Sequence, residues 1–171
     1  LPWDNVDEEE LLSPRDWSGK TLGRLMLSFG PNSSLFDIVT FLFLYYFLCP
    51  MLCDGATYLQ LTDSAMRLQY VKIFQTGWFL ESMWTQVLIL HFLRTRKLPF
   101  VQSKPSAPVM LITLTGIVAF TALTFTKAAA LFGLTEMPPW YFTFLLAVVL
   151  LYMLLTTVIK GFYQKRYREL I

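Results

Sequence analysis

The sequence predicts an all-α membrane protein, with four transmembrane helices preceded by a short cytoplasmic amphipathic segment. Three observations carry this reading. Of 171 residues, 55% are hydrophobic and only 15% are charged, whereas ordinary soluble domains have about 45–50% apolar and about 25% charged residues. Four apolar windows each approach the length of about 20 residues that a helix needs to cross about 30 Å of hydrocarbon. None of them alternates apolar and polar residues over about 10 positions, as the strands of a membrane barrel do.

Residues 1–33 form the expected cytoplasmic lead-in. Asp4-Asn5-Val6-Asp7-Glu8-Glu9-Glu10 reads as a solvated acidic stretch. Ser13-Pro14-Arg15-Asp16 has the chemistry of a helix start, with a Ser cap and Pro at the first position. Leu22, Leu25, Met26 and Phe29 then repeat at helical spacing, with Lys20 and Arg24 off the stripe. Such a segment lies at an inner headgroup layer, where anionic lipids would be partners, or packs on a neighbouring cytoplasmic domain. Gly19-Lys20-Thr21 imitates the end of a Walker A motif, but Pro14 stands where its first Gly belongs.

The spans follow in order. The first helix is expected over 34–53, with Gly30-Pro31-Asn32 stopping whatever precedes it and Ser34 and Asp37 forming a capping box. Asp54-Gly55 ends it. A loop over 54–70 leads to the second helix, 71–93, which holds Lys72 near its start and Glu81 near its middle. The 94–107 loop is broken by Pro99 and Pro105. The third helix covers 108–126 without a charge. A loop over 127–139 ends in Pro138-Pro139, and the fourth helix covers 140–162 before a 163–171 tail. Trp140-Tyr141-Phe142 at one end and Phe162, Tyr163 and Tyr167 at the other suit the two membrane interfaces. Trp78 and Trp84 fall mid-span, where an indole N–H needs a protein partner.

Lys and Arg collect on cytoplasmic flanks. The lead-in, the 94–107 loop and the tail, counted with Lys160 at the end of the fourth helix, carry eleven of them. Only Arg67, Lys72 and Lys127 lie on the other side. Both termini and the middle loop are therefore expected to be cytoplasmic. The net charge of +2 gives no basis for nucleic-acid binding. Cys49 and Cys53, four apart in an apolar run, read as buried thiols and not as a disulfide framework. The chain opens on Leu1 without a signal peptide pattern and reads as a fragment of something longer.

Glu81 is the most informative residue. A charge at the centre of a span costs on the order of 2.5–3.5 kcal/mol on insertion scales, so such residues mark ion or proton pathways by default. Hard cations such as magnesium prefer oxygen ligands and keep several waters, so one or two carboxylates suffice. The alternative is a protonated or hydrogen-bonded Glu that joins helices. Gln75, Ser82 and Gln86 form an uncharged polar stripe suited to helix–helix hydrogen bonds. Asp37 reads as a cap. His91 reads as a polar tip reaching water, and Thr115, Ala119 and Ala122 as a small-residue packing face. A lone Glu does not complete a cation site, so further ligands are expected on helices outside this chain.

Several strings resemble a known family: Trp3-Asp4-Asn5-Val6-Asp7, Gly30-Pro31 with Ser33-Ser34 and Phe36-Asp37-Ile38, Gly77-Trp78-Phe79-Leu80-Glu81-Ser82-Met83-Trp84-Thr85-Gln86, and His91-x-Leu93-Arg94-Thr95 with Leu98-Pro99-Phe100. They are similar to the C-terminal part of bacterial magnesium-importing P-type ATPases of the MgtA type. The resemblance covers essentially the whole chain. It implies the seventh to tenth of ten membrane helices, a multi-pass protein of the bacterial inner membrane, and Mg²⁺ as the transported ion. It also implies that Glu81 lies beside the cation pathway. ATP would act only through phosphorylation and nucleotide-binding domains outside this segment, which has no Asp-Lys-Thr-Gly-Thr motif. Partners would be the bilayer and the remaining helices and cytoplasmic domains of the parent pump. The competing reading is a stand-alone four-helix membrane scaffold or assembly subunit without catalysis.

Overall fold

A computed structural model describes residues 4–5, 19–95, 97, 99 and 102–167. Among these the chain is helical, apart from an isolated bridge between Pro99 and Ser103. The helices are α1 (Gly19–Leu52), α2 (Ser64–Leu93), α3 (Ala107–Leu123) and α4 (Pro139–Tyr167), with a short 3₁₀ turn at Lys127–Phe132. Helix α1, with 34 residues, and α4 are long and apolar enough to cross a membrane. At about 1.5 Å per residue α1 is about 50 Å long, well beyond the hydrocarbon thickness. Only 33% and 28% of their most apolar stretches are buried, which differs from the core helices of a soluble protein. Helix α3 is apolar but shorter, and α2 is interrupted by Arg67, Lys72 and Glu81.

The first helix does not begin at Ser34. It starts at Gly19 and runs through Pro31 unbroken. Proline removes one N–H and crowds the preceding turn, but helices that pack on neighbours tolerate it. Ser34 therefore does not cap. Its hydroxyl bonds back to the Gly30 carbonyl at 3.4 Å, and Asp37 sits in mid-helix. The expected separate amphipathic segment is likewise the first turns of α1. Leu25 and Phe29 bury against Tyr163 of α4, while Leu22 and Met26 stay exposed. Gly19-Lys20-Thr21 opens this helix. Of the acidic run over 4–10, Asp4 is not solvated, because Arg94 draws its carboxylate into a buried ion pair; residues 6–10 and the helix start at 13–16 lie outside the described residues.

A π turn at Leu44–Leu48 has a local cause. The Cys49 N–H bonds to the Leu44 carbonyl, and Pro50 has no N–H to offer. The Tyr45 carbonyl is thereby freed, and the Tyr70 hydroxyl of α2 donates to it at 2.5 Å. Cys49 and Cys53 are buried and free, and the Cys49 thiol donates to the Tyr70 carbonyl. Asp54 and Gly55, both at positive φ, end the helix.

Helix α2 begins at Ser64, earlier than expected, because Asp63 caps it: its carboxylate accepts from the Ala65 N–H at 3.1 Å. Gly77 is where its neighbours come closest. A Cβ there would fall 2.5 Å from Leu44 Cδ2 and 3.2 Å from Met137 Cε, and the Tyr141 hydroxyl donates to the Gly77 carbonyl at 2.6 Å. The largest apolar core gathers around this point, with Leu44, Leu48, Ile73, Leu80, Met137 and Leu145.

Helix α3 packs on α2 through two polar contacts. Trp84 Nε1 donates to Thr121 Oγ1 at 3.1 Å, and His91 Nε2 lies 3.2 Å from Thr113 Oγ1. His91 is buried and does not reach water, because the α3 hydroxyl serves its ring. Thr115, Ala119 and Ala122 are exposed, so the small-residue face is not the one α3 turns to α2.

The chain before α1 joins this frame at Asp4. Its Oδ1 accepts from Arg94 at the end of α2 (3.0 Å), from the Ser106 N–H ahead of α3 (3.0 Å) and from the Asn5 N–H (2.9 Å). Arg94 also donates to the Asn5 and Ser103 carbonyls. Burial alone would raise the Asp4 carboxyl, but the Ser106 amide, the Arg94 guanidinium and the Asn5 amide together hold it below its ordinary value of 3.8. A carboxyl shifted down on folding contributes stability above its unfolded pKa and loses it as pH falls through the folded value. Asp4→Asn should therefore cost about 1.5–3 kcal/mol of stability, as expected for hydrogen bonds to a charged group. In melting curves the deficit should stay constant from about pH 8 to about pH 5, and shrink only below 3.8.

Candidate functional site

The candidate site lies where α1, α2 and α4 meet, midway along α2. Helical spacing puts Thr76, Gly77, Leu80, Glu81 and Thr85 on the buried face of α2. Glu81 is 1% exposed, and its Oε2 has no hydrogen-bond partner. Buried polar atoms are nearly always paired, so an orphaned carboxylate oxygen here calls for an explanation. Asp37 of α1 and the neighbouring Ser82 lie within reach of the carboxyl, and the Tyr141 and Tyr152 phenols of α4 stand nearby.

Asp37 joins α1 to α2. Its Oδ1 accepts from Trp78 Nε1 at 3.2 Å and from the Ser82 hydroxyl at 3.4 Å. Phe41 packs edge-on against the Trp78 ring one turn further along α1. The structure thus brings Glu81, Asp37 and Ser82 together. It leaves Gln75 and Gln86 on the exposed surface, with Gln75 against Gly133. Asp37 bridges two helices instead of capping one.

A second set of polar residues continues from the site. The Tyr152 phenol lies close to Thr156 and Ser33, and Asn32 Nδ2 donates to Thr156 Oγ1 at 2.9 Å. Asn32 Oδ1 and Thr40 Oγ1 are buried and unpaired, like Glu81 Oε2. These residues escaped sequence reasoning because Thr and Tyr are unremarkable in apolar runs. The signal was present, since Tyr152, Thr156 and Lys160 recur every fourth residue and must share a helix face.

No group of three or more His, Cys, Asp or Glu side chains able to hold a metal occurs among the described residues. The site offers two carboxylates, hydroxyls and an amide oxygen. These are hard oxygen donors of the kind Mg²⁺ accepts, but too few carboxylates for a closed protein cage.

Residues 1–162 match the family described as cation transporting ATPase, C-terminus. The chain belongs to this family. It is 39% identical over 98% of its length to a magnesium-transporting ATPase, P-type 1, of Salmonella typhimurium, and 38% identical over 98% to the protein of the same name in Escherichia coli K12. It spans 17% of the length of each of these relatives.

If Asp37 is the link between α1 and α2, Asp37→Leu leaves Trp78 and Ser82 without their acceptor and should destabilise the full-length protein by about 1–3 kcal/mol. Asp37→Asn, which keeps an oxygen, should cost less. Thermal unfolding of the detergent-solubilised variants measures both.

Proposed function

We propose that this chain is the C-terminal membrane part of an ATP-driven Mg²⁺ importer, and that Glu81 contributes a carboxylate to its cation pathway. The similarity to magnesium-transporting ATPases over nearly the whole chain supports the ion and the pump. The observation that carries the Glu81 role is its orphaned Oε2 in a setting 1% exposed. A carboxylate that merely joined helices would be expected to use both oxygens in those joints. Glu81 Oε2 meets no donor, and the facing Asp37 carboxyl can pair with it only by sharing a proton, a place a cation would take.

In this reading the four helices cross the inner membrane as the last four spans of the pump, with both ends cytoplasmic. The charge asymmetry of the flanks supports that orientation. The remaining ligands come from helices upstream, which fits the absence of a metal-holding cluster among the described residues. The four helices also buttress those upstream helices.

In the purified full-length pump, Glu81→Ala and Glu81→Gln should weaken Mg²⁺-stimulated ATPase activity, with the Mg²⁺ concentration for half-stimulation moved upward. Unchanged Mg²⁺ dependence in both variants would reduce Glu81 to a helix-joining residue.

A second expectation concerns the bilayer. Lys20 and Arg24 open α1, and Lys165 and Arg166 close α4 at the same end of the bundle, a basic rim suited to anionic headgroups. Replacing Lys20 and Arg24 with Gln should lessen any stimulation of the reconstituted pump by anionic lipids. Equal responses of variant and wild type across vesicle compositions would count against a lipid role.

A further inference from the structure

Lys160 is counted from sequence among the tail cations, yet it is 3% exposed. Its stem lies one turn beyond Thr156 on the buried face of α4, and its ammonium crosses to the end of α2. Nζ donates to the carbonyls of Phe92 (2.9 Å), Thr95 (2.5 Å) and Lys97 (2.8 Å). The Phe92 carbonyl belongs to the last turn of α2, whose final carbonyls have no intrahelical partner. Thr95 and Lys97 belong to the turn that follows, which is tied locally by the Lys97 N–H donating to Thr95 Oγ1 at 3.0 Å.

The surroundings favour the charged amine. A protonated lysine has three N–H groups and no acceptor, and carbonyl acceptors surround it here, those of Phe92, Thr95 and Lys97 among them. A neutral amine would turn a lone pair toward one of those oxygens. The carbonyls also sit at the negative end of the α2 dipole, where a cation is favoured. Three main-chain oxygens converging at these distances make a small cage for a monovalent cation, which the chain fills with its own ammonium.

We propose that the Phe92, Thr95 and Lys97 carbonyls form a cation site occupied by Lys160 as a tethered ammonium, and that this occupancy locks the carboxyl end of α2 to α4. Lys160 is then a positioning residue. With its side chain removed, the vacated cage would accept a primary alkylammonium ion. The lock is independent of what Glu81 binds.

The test uses the purified full-length pump. Lys160→Met, which keeps the stem and removes the charge, should lower the melting temperature by several degrees and reduce ATPase activity. Lys160→Ala should do the same, and propylammonium, which replaces the missing stem and ammonium, should restore part of both. Tetramethylammonium at equal ionic strength should not, because it has no N–H. A Lys160→Met protein as stable as wild type would overturn the proposal. So would Lys160→Ala recovery that is equal with the two ammonium ions, or absent with both. Should Lys160→Ala fail to accumulate, Lys160→Gln carries the test: its two neutral donors facing three carbonyls should give a lowered melting temperature, and an unchanged one would overturn the lock. Glu81→Gln gives the separate readout. Altered Mg²⁺ dependence at an unchanged melting temperature concerns the pathway alone, and failure there leaves the Lys160 result standing.

Discussion

Helix α2 is the member on which every other helix depends, and its constraint is polar. It runs through apolar surroundings while carrying a carboxylate, a histidine, two indoles and several hydroxyls. Each has to be met from a neighbour, because groups left unpaired away from water cost free energy that packing does not return. The neighbours are arranged accordingly. Helix α1 brings Asp37 to Trp78 and Ser82, α3 brings Thr121 to Trp84 and Thr113 toward His91, and α4 brings the Tyr141 hydroxyl to the Gly77 carbonyl. Apolar contact fills the space between these joints. It is the joints that fix the rotation of each helix.

The two ends of α2 are handled differently. At its start, Asp63 caps the helix from within, and the Tyr70 hydroxyl repairs the carbonyl freed by the π turn of α1. At its finish no local residue suffices. Arg94 is drawn into the Asp4 knot, and the last carbonyls are taken by Lys160 from a helix 60 residues or more along the chain. The carboxyl end of α2 is thus held jointly by the segment before α1, the turn after α2 and the last helix. Glu81 sits between these two fixed ends. Its Oε2 is one of several buried polar atoms left unpaired, with Asn32 Oδ1 and Thr40 Oγ1 on α1.

For a segment that spans 17% of its relatives, this division of labour makes physical sense. Polar joints tie the four helices to one another, while Asn32, Thr40 and Glu81, and beyond the end of α2 Arg94 and Ser106, keep buried polar atoms without a hydrogen-bond partner among the described residues. The exposed flank of α3, with Leu111, Ile112 and Val118 around Thr115, is mostly apolar and suits lipid contact.

Much of this was legible beforehand. Helical character, the apolar stretches and the ends marked by Asp54-Gly55 and Pro138-Pro139 follow from local chemistry: the length of apolar runs, the missing N–H of proline and the positive φ that glycine accepts. Glu81 stood out for the same local reason, being a charge amid apolar neighbours. Other features were decided only by tertiary contact. Pro31 and Ser34 look like a boundary, but packing on α4 keeps α1 continuous through them. Asp37 has the spacing of a cap, but Trp78 and Ser82 arrive from another helix to use its carboxylate. Lys160 looks like a solvated tail charge, but the unpaired carbonyls at the end of α2 lie where its ammonium can reach. By itself the sequence determined which residues carry charge, hydrogen-bonding capacity and apolar bulk. Which of them meet was decided by the fold, because the partners are distant in the chain and no local periodicity records them.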